Sequence, residues 1–447
     1  MLYLYTFLYA LILFFYFPFF WVRFRWLRRE KLEIRPRLGL SLLPPSDYQP
    51  CLWLHAVSVG EILSLQRLVL QLRQSHPCWR FIVTSLTPAG LRLGRQRMGS
   101  IAEIAPIPLD LPFSLRRFFG RVKPSLIVLT ESEFWPNLLR WAKRSSLPVI
   151  LVNGRMSDRS LKRIKKFRRV FLTVLRNIDF FLVQSERDRQ RFIEVGLPAE
   201  KVINTGNIKS DVEFKVLSEE EKAIWRKKLK LKPQDKLITA GSTHAKEENL
   251  LLEALASLKE VKPELKLIIA PRHPERWPEI GRLTESLFLL WERWSELRLK
   301  SEAGEVTSSE WRVLIIDTLG ELPVFYGLAD LTFVGGSLVP RGGHNLLEPA
   351  FFGQPILFGP HMENFAQLAQ EFLRQKAALE VRTKKDLRQA FLNIETAEVK
   401  MMGERAKAIL DGLQGATKKT TAVIEEFMRQ IEGKFYNSNV QGAGQSG

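Results

Sequence analysis

Cysteine is almost absent. Cys51 and Cys78 form no CxxC pair and no cluster at metal-ligand spacing. That excludes a disulfide-stapled scaffold and a zinc module, and it predicts buried thiols in a reducing compartment. Acid is short: 48 Asp and Glu stand against 67 Lys and Arg, for a formal charge of +19. No Asp-x-Asp motif follows any apolar run, and no His/Asp/Glu group has ligand spacing. The expectation is therefore no metal and no cofactor. The positive charge comes without a nucleic-acid-binding motif, so no nucleic acid is expected as a partner. Internal repeats are missing, which excludes solenoids and propellers. With 45% hydrophobic residues in 447, a disordered chain is excluded as well.

Long apolar runs are also missing, except at the N-terminus. Residues 2–22, LYLYTFLYALILFFYFPFFWV, carry no charge. A helix of that length covers about 30 Å, the thickness of a bilayer's hydrocarbon core. The run reads as a transmembrane anchor, with a buried core helix as the alternative. RFRWLRREKLEIRPR follows, in which seven of fifteen residues are basic. The positive-inside rule then keeps the rest of the chain cytoplasmic. A signal peptide would carry its charge before the apolar run and small residues after it, and neither is present.

From residue 51 short apolar runs alternate with amphipathic stretches: CLWLHAV, RFIVTS, IAEIAPI, LIVLT, PVILVN and FFLVQS. The rhythm breaks at a charged stretch over 211–235 and restarts with KLITAG, LKLIIA, RVLIID, LTFVGG, PILFG and AALEV. Apolar runs trailed by helices are what a parallel sheet covered on both faces requires. The predicted fold is α/β: a doubly wound, Rossmann-like domain at 38–210, a connector at 211–235, and a second such domain at 236–432. The two would face a cleft, and 437–447 would be a disordered tail. Ligands of such sheets sit beyond the carboxyl ends of the strands.

The loops at those ends carry the candidate chemistry. In HAVSVGE, Glu61 opens a helix, where it either complements the macrodipole or serves as a general base for an incoming hydroxyl. TESEFWPNLL places Glu131 and Glu133 two apart. From Arg155 to Arg176 nine cations stand against the single acid Asp158, beside an apolar stripe of Phe167, Val170, Phe171 and Val174. Such a stripe suits an anionic membrane surface or a phosphorylated acceptor. AGSTH contributes Ser242, APRHPER contributes Arg272 and His273, and DTLGEL contributes Gly320. In FVGGSLVPRGGHNLLEPA two glycine pairs precede Asn345 and Glu348. Loop amides there would hold a phosphate, and the Asn/Glu pair a ribose diol.

Taken together and in this order, HAVSVGE, ESEFWPNLL, NGRMSDRS, APRHPER and GGSLVPRGGHNLLEP resemble the Kdo transferases. These enzymes move 3-deoxy-D-manno-oct-2-ulosonic acid from CMP-Kdo to a lipid A precursor in lipopolysaccharide core synthesis. The resemblance runs from the apolar N-terminus to about residue 430. It implies a GT-B fold, an inverting transfer without a metal ion, and attachment to the inner membrane. It makes Glu61 the proton acceptor, and Glu131 and Lys209 transition-state-stabilising positions. Pro271, Arg272, Leu319, Gly320, Glu321, Asn345, Leu346, Leu347 and Glu348 would contact CMP, at Leu346 through backbone. The rival reading is another membrane-associated GT-B transferase using a different nucleotide sugar.

Overall fold

The computed structural model describes residues 2–22, 33–40, 43–44, 50–303 and 310–443. It divides into two compact units: one runs to Asp211 and resumes at Gln414, and the other is Val212–Leu413.

The first unit holds seven strands: β1 (Cys51–Ala56), β2 (Arg80–Ser85), β3 (Glu103–Pro106), β4 (Leu126–Thr130), β5 (Val149–Gly154), β6 (Phe180–Val183) and β7 (Val202–Asn204). All pairings are parallel, in the order β3-β2-β1-β4-β5-β6-β7. Successive residues of a strand serve opposite faces. Cys51 and Trp53 join one core layer with Ile82, Ile127 and Leu151. Leu52 and Leu54 join the other with Val83, Val128 and Ile150. Because both faces are buried, these strands read as unbroken apolar runs.

The second unit repeats the plan with β8 (Lys236–Thr243), β9 (Leu265–Pro271), β10 (Trp291–Arg293), β11 (Val313–Ile315), β12 (Leu331–Val334), β13 (Ile356–Phe358) and β14 (Leu379–Glu380). Their order is β10-β11-β9-β8-β12-β13-β14, again parallel. In each sheet the order reverses next to the first strand, between β1 and β4 and between β8 and β12. Ligands of open α/β sheets bind at such switch points.

The domain boundaries differ from expectation. The stretch 211–235 is no free connector, since Leu217 and Leu229 are buried and Trp225 packs with Trp294 and Phe325 in the core of the second unit. The second unit also ends earlier, at Leu413. The final helical stretch is two helices, Ala397–Leu413 and Ala416–Ala443, separated by Gly415 at φ +91°. The second of them returns to the first unit, where Ile424 and Met428 join the layer of Leu65, Leu68 and Leu72. Asp211 caps its start by accepting the backbone N–H groups of Gly415 at 2.7 Å, Ala416 at 3.3 Å and Thr417. The expected disordered tail begins too early as well, because helix continues to Ala443. Residues 444–447 lie outside the described residues.

Three smaller expectations also change. Cys51 is buried, but Cys78 is exposed. The basic stretch after β5 is two short helices, Asp158–Lys166 and Arg168–Leu175. Phe171 and Val174 pack inward against the core, so of the proposed membrane-facing stripe Phe167 alone is exposed.

Leu2–Val22 is a helix, with side chains described from Tyr3 to Phe15. Phe7, Leu8, Leu11, Ile12, Phe14 and Phe15 are exposed. Tyr5 and Thr6 turn toward the first unit. The Tyr5 hydroxyl donates to Asp110 Oδ2 at 3.0 Å, and Thr6 Oγ1 donates to Asn137 Oδ1 at 3.1 Å. Among the described residues no helix is long and apolar enough to cross a membrane. The basic flank from Arg23 to Lys31 lies outside the described residues.

Candidate active site

At the switch point of the first sheet, Ser58 caps the helix Val59–Ser75 and accepts the Glu61 backbone N–H at 3.3 Å. The S-x-x-E spacing is that of a capping box, here closed one residue early. Glu61 Oε2 accepts from the Val57 N–H at 2.9 Å and from Thr130 Oγ1 at 2.7 Å, and Oε1 accepts from Ser58 Oγ at 2.8 Å. Burial pushes this carboxyl up, but the hydrogen bonds from Val57, Thr130 and Ser58, with Lys209 nearby, outweigh burial. The net effect holds Glu61 below the usual carboxylate range. Glu61 closes a helix start, and it is an ionised carboxylate at the carboxyl end of β1.

Glu131 follows β4 at φ +53°, a left-handed conformation costly for a non-glycine residue. Its buried carboxylate is bridged by two cations, Lys209 on Oε1 and Arg155 Nε on Oε2 at 2.9 Å. A Cβ on Gly60 would lie 4.0 Å from Lys209 Nζ. The structure therefore brings Glu61, Glu131 and Lys209 together from the ends of β1, β4 and β7. Glu133 joins them. Burial first, then the Glu61 carboxylate, push its own carboxyl up to about 7.

In the second unit, Pro271 closes β9 and pairs with Thr243 of β8. Arg272 follows, its N–H donating to the Thr243 carbonyl at 2.9 Å. Three amides at the start of the glycine loop after β12 are already engaged. Glu247, fully buried at the start of the helix Glu247–Ala256 after β8, accepts the N–H groups of Gly336 at 2.7 Å, Ser337 at 3.0 Å and Leu338 at 2.8 Å, and that of His244 at 2.9 Å. The helix after Asn345 is a single short turn and more, Leu347–Phe351, with Asn345 Oδ1 accepting the Leu347 N–H at 3.1 Å. That length gives little macrodipole, so an anion there depends on side chains. Leu346 and Leu347 are buried in the core of this unit and offer only backbone. Burial raises the Glu348 carboxyl, opposed by Asn345 and Arg272.

In the third predicted segment the Glu321 side chain is already engaged. Glu321 holds Trp294 Nε1 at 2.9 Å, Arg298 Nη1 at 3.4 Å and the Thr318 hydroxyl. Gly320 has φ +87° and Leu319 is 81% exposed. Among the described residues no group of three or more His, Cys, Asp or Glu side chains is arranged to hold a metal ion.

Residues 30–212 match the family profile described as 3-deoxy-D-manno-octulosonic-acid transferase (kdotransferase). The chain is 32% identical over 393 residues to the 3-deoxy-D-manno-octulosonic acid transferase of Chlamydia muridarum, covering 87% of this chain and 89% of that one. It belongs to the Kdo transferase family. To the enzyme of the same description from Haemophilus influenzae it is 31% identical over 415 residues, covering 90% and 93%. Among solved structures, a glycosyltransferase from Rickettsia africae superposes with a TM-score of 0.52 at 11% identity, covering 85% of this chain and 99% of that one, and shares the fold. The C-terminal CMP-Kdo binding domain of WaaA from Acinetobacter baumannii is 31% identical, covering 43% of this chain and 96% of that one, with a TM-score of 0.38.

This Kdo transferase is a two-domain parallel α/β protein of the GT-B type and a glycosyltransferase. Several residues of the site escaped sequence reasoning. Thr130 reads as the polar end of an apolar strand, and Glu247 as an ordinary first-turn acid. Arg155 reads as one cation of nine. The signals that point to them are strand-end position for Thr130 and sheet adjacency for Glu247, and only the second needs the fold.

Proposed function

We propose that this chain transfers Kdo from CMP-Kdo to a lipid A precursor, inverting the donor carbon, with Glu61 as general base. The observation that carries this reading is the Glu61 carboxylate itself, held ionised at the switch point of the first sheet beside the Lys209–Glu131 pair. A carboxylate has about four lone-pair positions. Three of those on Glu61 are filled by Val57, Thr130 and Ser58, leaving one on Oε1.

Three things happen together in the step. The acceptor hydroxyl oxygen attacks the donor carbon, the bond to the CMP phosphate oxygen breaks, and the hydroxyl proton passes to Glu61 Oε1. The donor carbon gains oxocarbenium character as CMP leaves. Glu131, fixed between Lys209 and Arg155, supplies an oriented carboxylate beside that centre, and Lys209 a compensating cation. CMP-Kdo carries two anionic groups, a phosphate diester and a sugar carboxylate. Pro271, Arg272 and the Asn345–Glu348 segment receive it in the second unit. Leu319–Glu321 contributes backbone, since the Glu321 side chain is engaged elsewhere.

The same reading attaches the protein to the inner membrane through residues 2–22, with both units on the cytoplasmic side. Its support is the uncharged sequence of that helix and its exposed apolar face. The acceptor is itself a lipid, which suits a membrane-held enzyme.

Mass spectrometry of the product from CMP-Kdo and a tetra-acylated lipid A precursor tests the function. A mass gain of one or more Kdo residues, with release of CMP, is expected. Transfer from a UDP-sugar and none from CMP-Kdo would establish the rival transferase instead.

A further inference from the structure

Three histidines gather at the switch point of the second unit, and none has a role in the reading above. His244 leaves β8, His273 follows β9, and His344 ends the glycine loop after β12. The rings of His244 and His344 are parallel within 5°, with centroids 5.4 Å apart. Their Nε2 atoms are 3.1 Å apart. His273 stands edge-on to His244 at 6.3 Å. Two features build this arrangement. Glu247 accepts backbone N–H groups from both His244 and the glycine loop, and so ties the two segments together. A Cβ on Gly336 would lie 3.0 Å from His344 Cδ2 and 3.2 Å from its Nε2, so glycine makes room for the ring.

The contact between the two nitrogens dictates where the protons are. One ring carries hydrogen on Nε2 and donates, which leaves its Nδ1 bare. The other accepts on Nε2 and so carries its hydrogen on Nδ1. Among the described residues no protein group meets either Nδ1. The charges around the pair are cationic. Arg341, Arg272 and Arg276 act on His244, and His244 and then Arg272 act on His344. The nearby carboxylates are engaged. Glu247 holds four amides, Glu248 and Glu279 hold Arg276 at 2.9 and 3.0 Å, Glu275 stands 3.6 Å from His273, and Glu348 faces Arg272. Burial, then these cations, hold both imidazoles in the neutral form, His344 down to about 4. An anion seated among them reverses that balance.

We propose that His244 and His344 are the anion-reading pair of the donor site: the bare Nδ1 takes up one proton from solvent as the sugar nucleotide binds, giving two Nδ1–H donors and one positive charge. The group read is either the donor's phosphate diester or its sugar carboxylate. This rests on the donor reading above and goes beyond it by assigning a proton to the binding step. Since binding takes up a proton, affinity rises as pH falls and declines as pH rises through the titration of the complex.

Calorimetry on the full chain, in two buffers of different ionisation enthalpy, counts the proton. The probes are cytidine 5′-(methyl phosphate), a diester with one non-titrating charge, and CMP-Kdo. Uptake of about half a proton or more is expected at pH 7, with affinity at about pH 6 at least some tenfold above that at about pH 8. Uptake with the diester assigns the pair to the phosphate, and uptake with CMP-Kdo alone assigns it to the carboxylate. Binding of both without uptake overturns the inference and leaves the donor reading standing. Failure of both to bind overturns both readings. The His244→Asn/His344→Gln double variant, if folded, should bind without uptake and with a flat pH dependence, and retention of the parent's uptake would contradict the assignment. If the variant does not fold, the parent's own proton count decides.

Discussion

The single hydroxyl hydrogen of Thr130 has two acceptors within reach, Glu61 Oε2 at 2.7 Å and the His55 carbonyl at 3.0 Å. While Glu61 is ionised, the hydrogen belongs on the carboxylate, because a charged acceptor makes the stronger bond. Once Glu61 has taken a proton, the hydroxyl can turn to the carbonyl. Thr130 therefore joins the ends of β1 and β4, and it favours the ionised form of the proposed base. Thr130→Val keeps the shape and removes the hydrogen. A hydrogen bond to a charged group is worth about 1.5–3 kcal/mol. CMP affinity should be unchanged, and the acid limb of the pH–rate profile should move to higher pH by about one to two units. Steady-state kinetics across pH checks this.

Glu133 provides a pH test with a definite sign. Its folded-state carboxyl titrates at about 7, above the ordinary value of 4.5, chiefly through burial and the Glu61 carboxylate. A group raised in this way contributes its stability below the unfolded value and loses it as pH rises through the folded one. Glu133→Gln should therefore melt higher than the parent at about pH 8, by on the order of 2 kcal/mol, with the difference gone near pH 4.5. Calorimetric melting at both pH values is the check, and a constant difference would mean Glu133 does not titrate as stated.

Glu247 is the structural centre of the second unit's loops. Glu247→Gln replaces one carboxylate oxygen by an NH₂ group facing the backbone N–H donors it served. Each buried donor left unpaired costs about 1–3 kcal/mol. The variant should lose at least about 2 kcal/mol of stability in chemical denaturation and bind CMP poorly in its folded fraction. A loss below about 0.5 kcal/mol would mean the loop holds itself.

Most of the sheet architecture was legible because both faces of each sheet are covered. Runs such as LIVLT and LKLIIA admit little but a buried strand. β10 and β7 were not legible: WER is charged and partly exposed, and VIN is three residues at a sheet edge. The return of the last helix to the first unit was illegible for another reason. Its cue is a single glycine, and the partner that fixes it, Asp211, lies over two hundred residues earlier. At the site, strand-end position picked out Glu61, Arg272 and the glycine loop. It did not show that the amides of Gly336, Ser337 and Leu338 were already taken, since that depends on Glu247 reaching across from the end of the neighbouring strand.

The most direct test of the account is turnover of Glu61→Gln, with product measured by mass spectrometry and CMP affinity and melting temperature measured on the same sample. Glutamine keeps the size of the side chain and one acceptor oxygen but takes no proton. General-base assistance is typically worth about 10²- to 10⁴-fold. The account predicts a loss of that order with CMP affinity near the parent's and a melting temperature lowered by no more than a few degrees. Near-normal turnover in the folded variant would contradict it, leaving Glu61 as the closing residue of a helix cap.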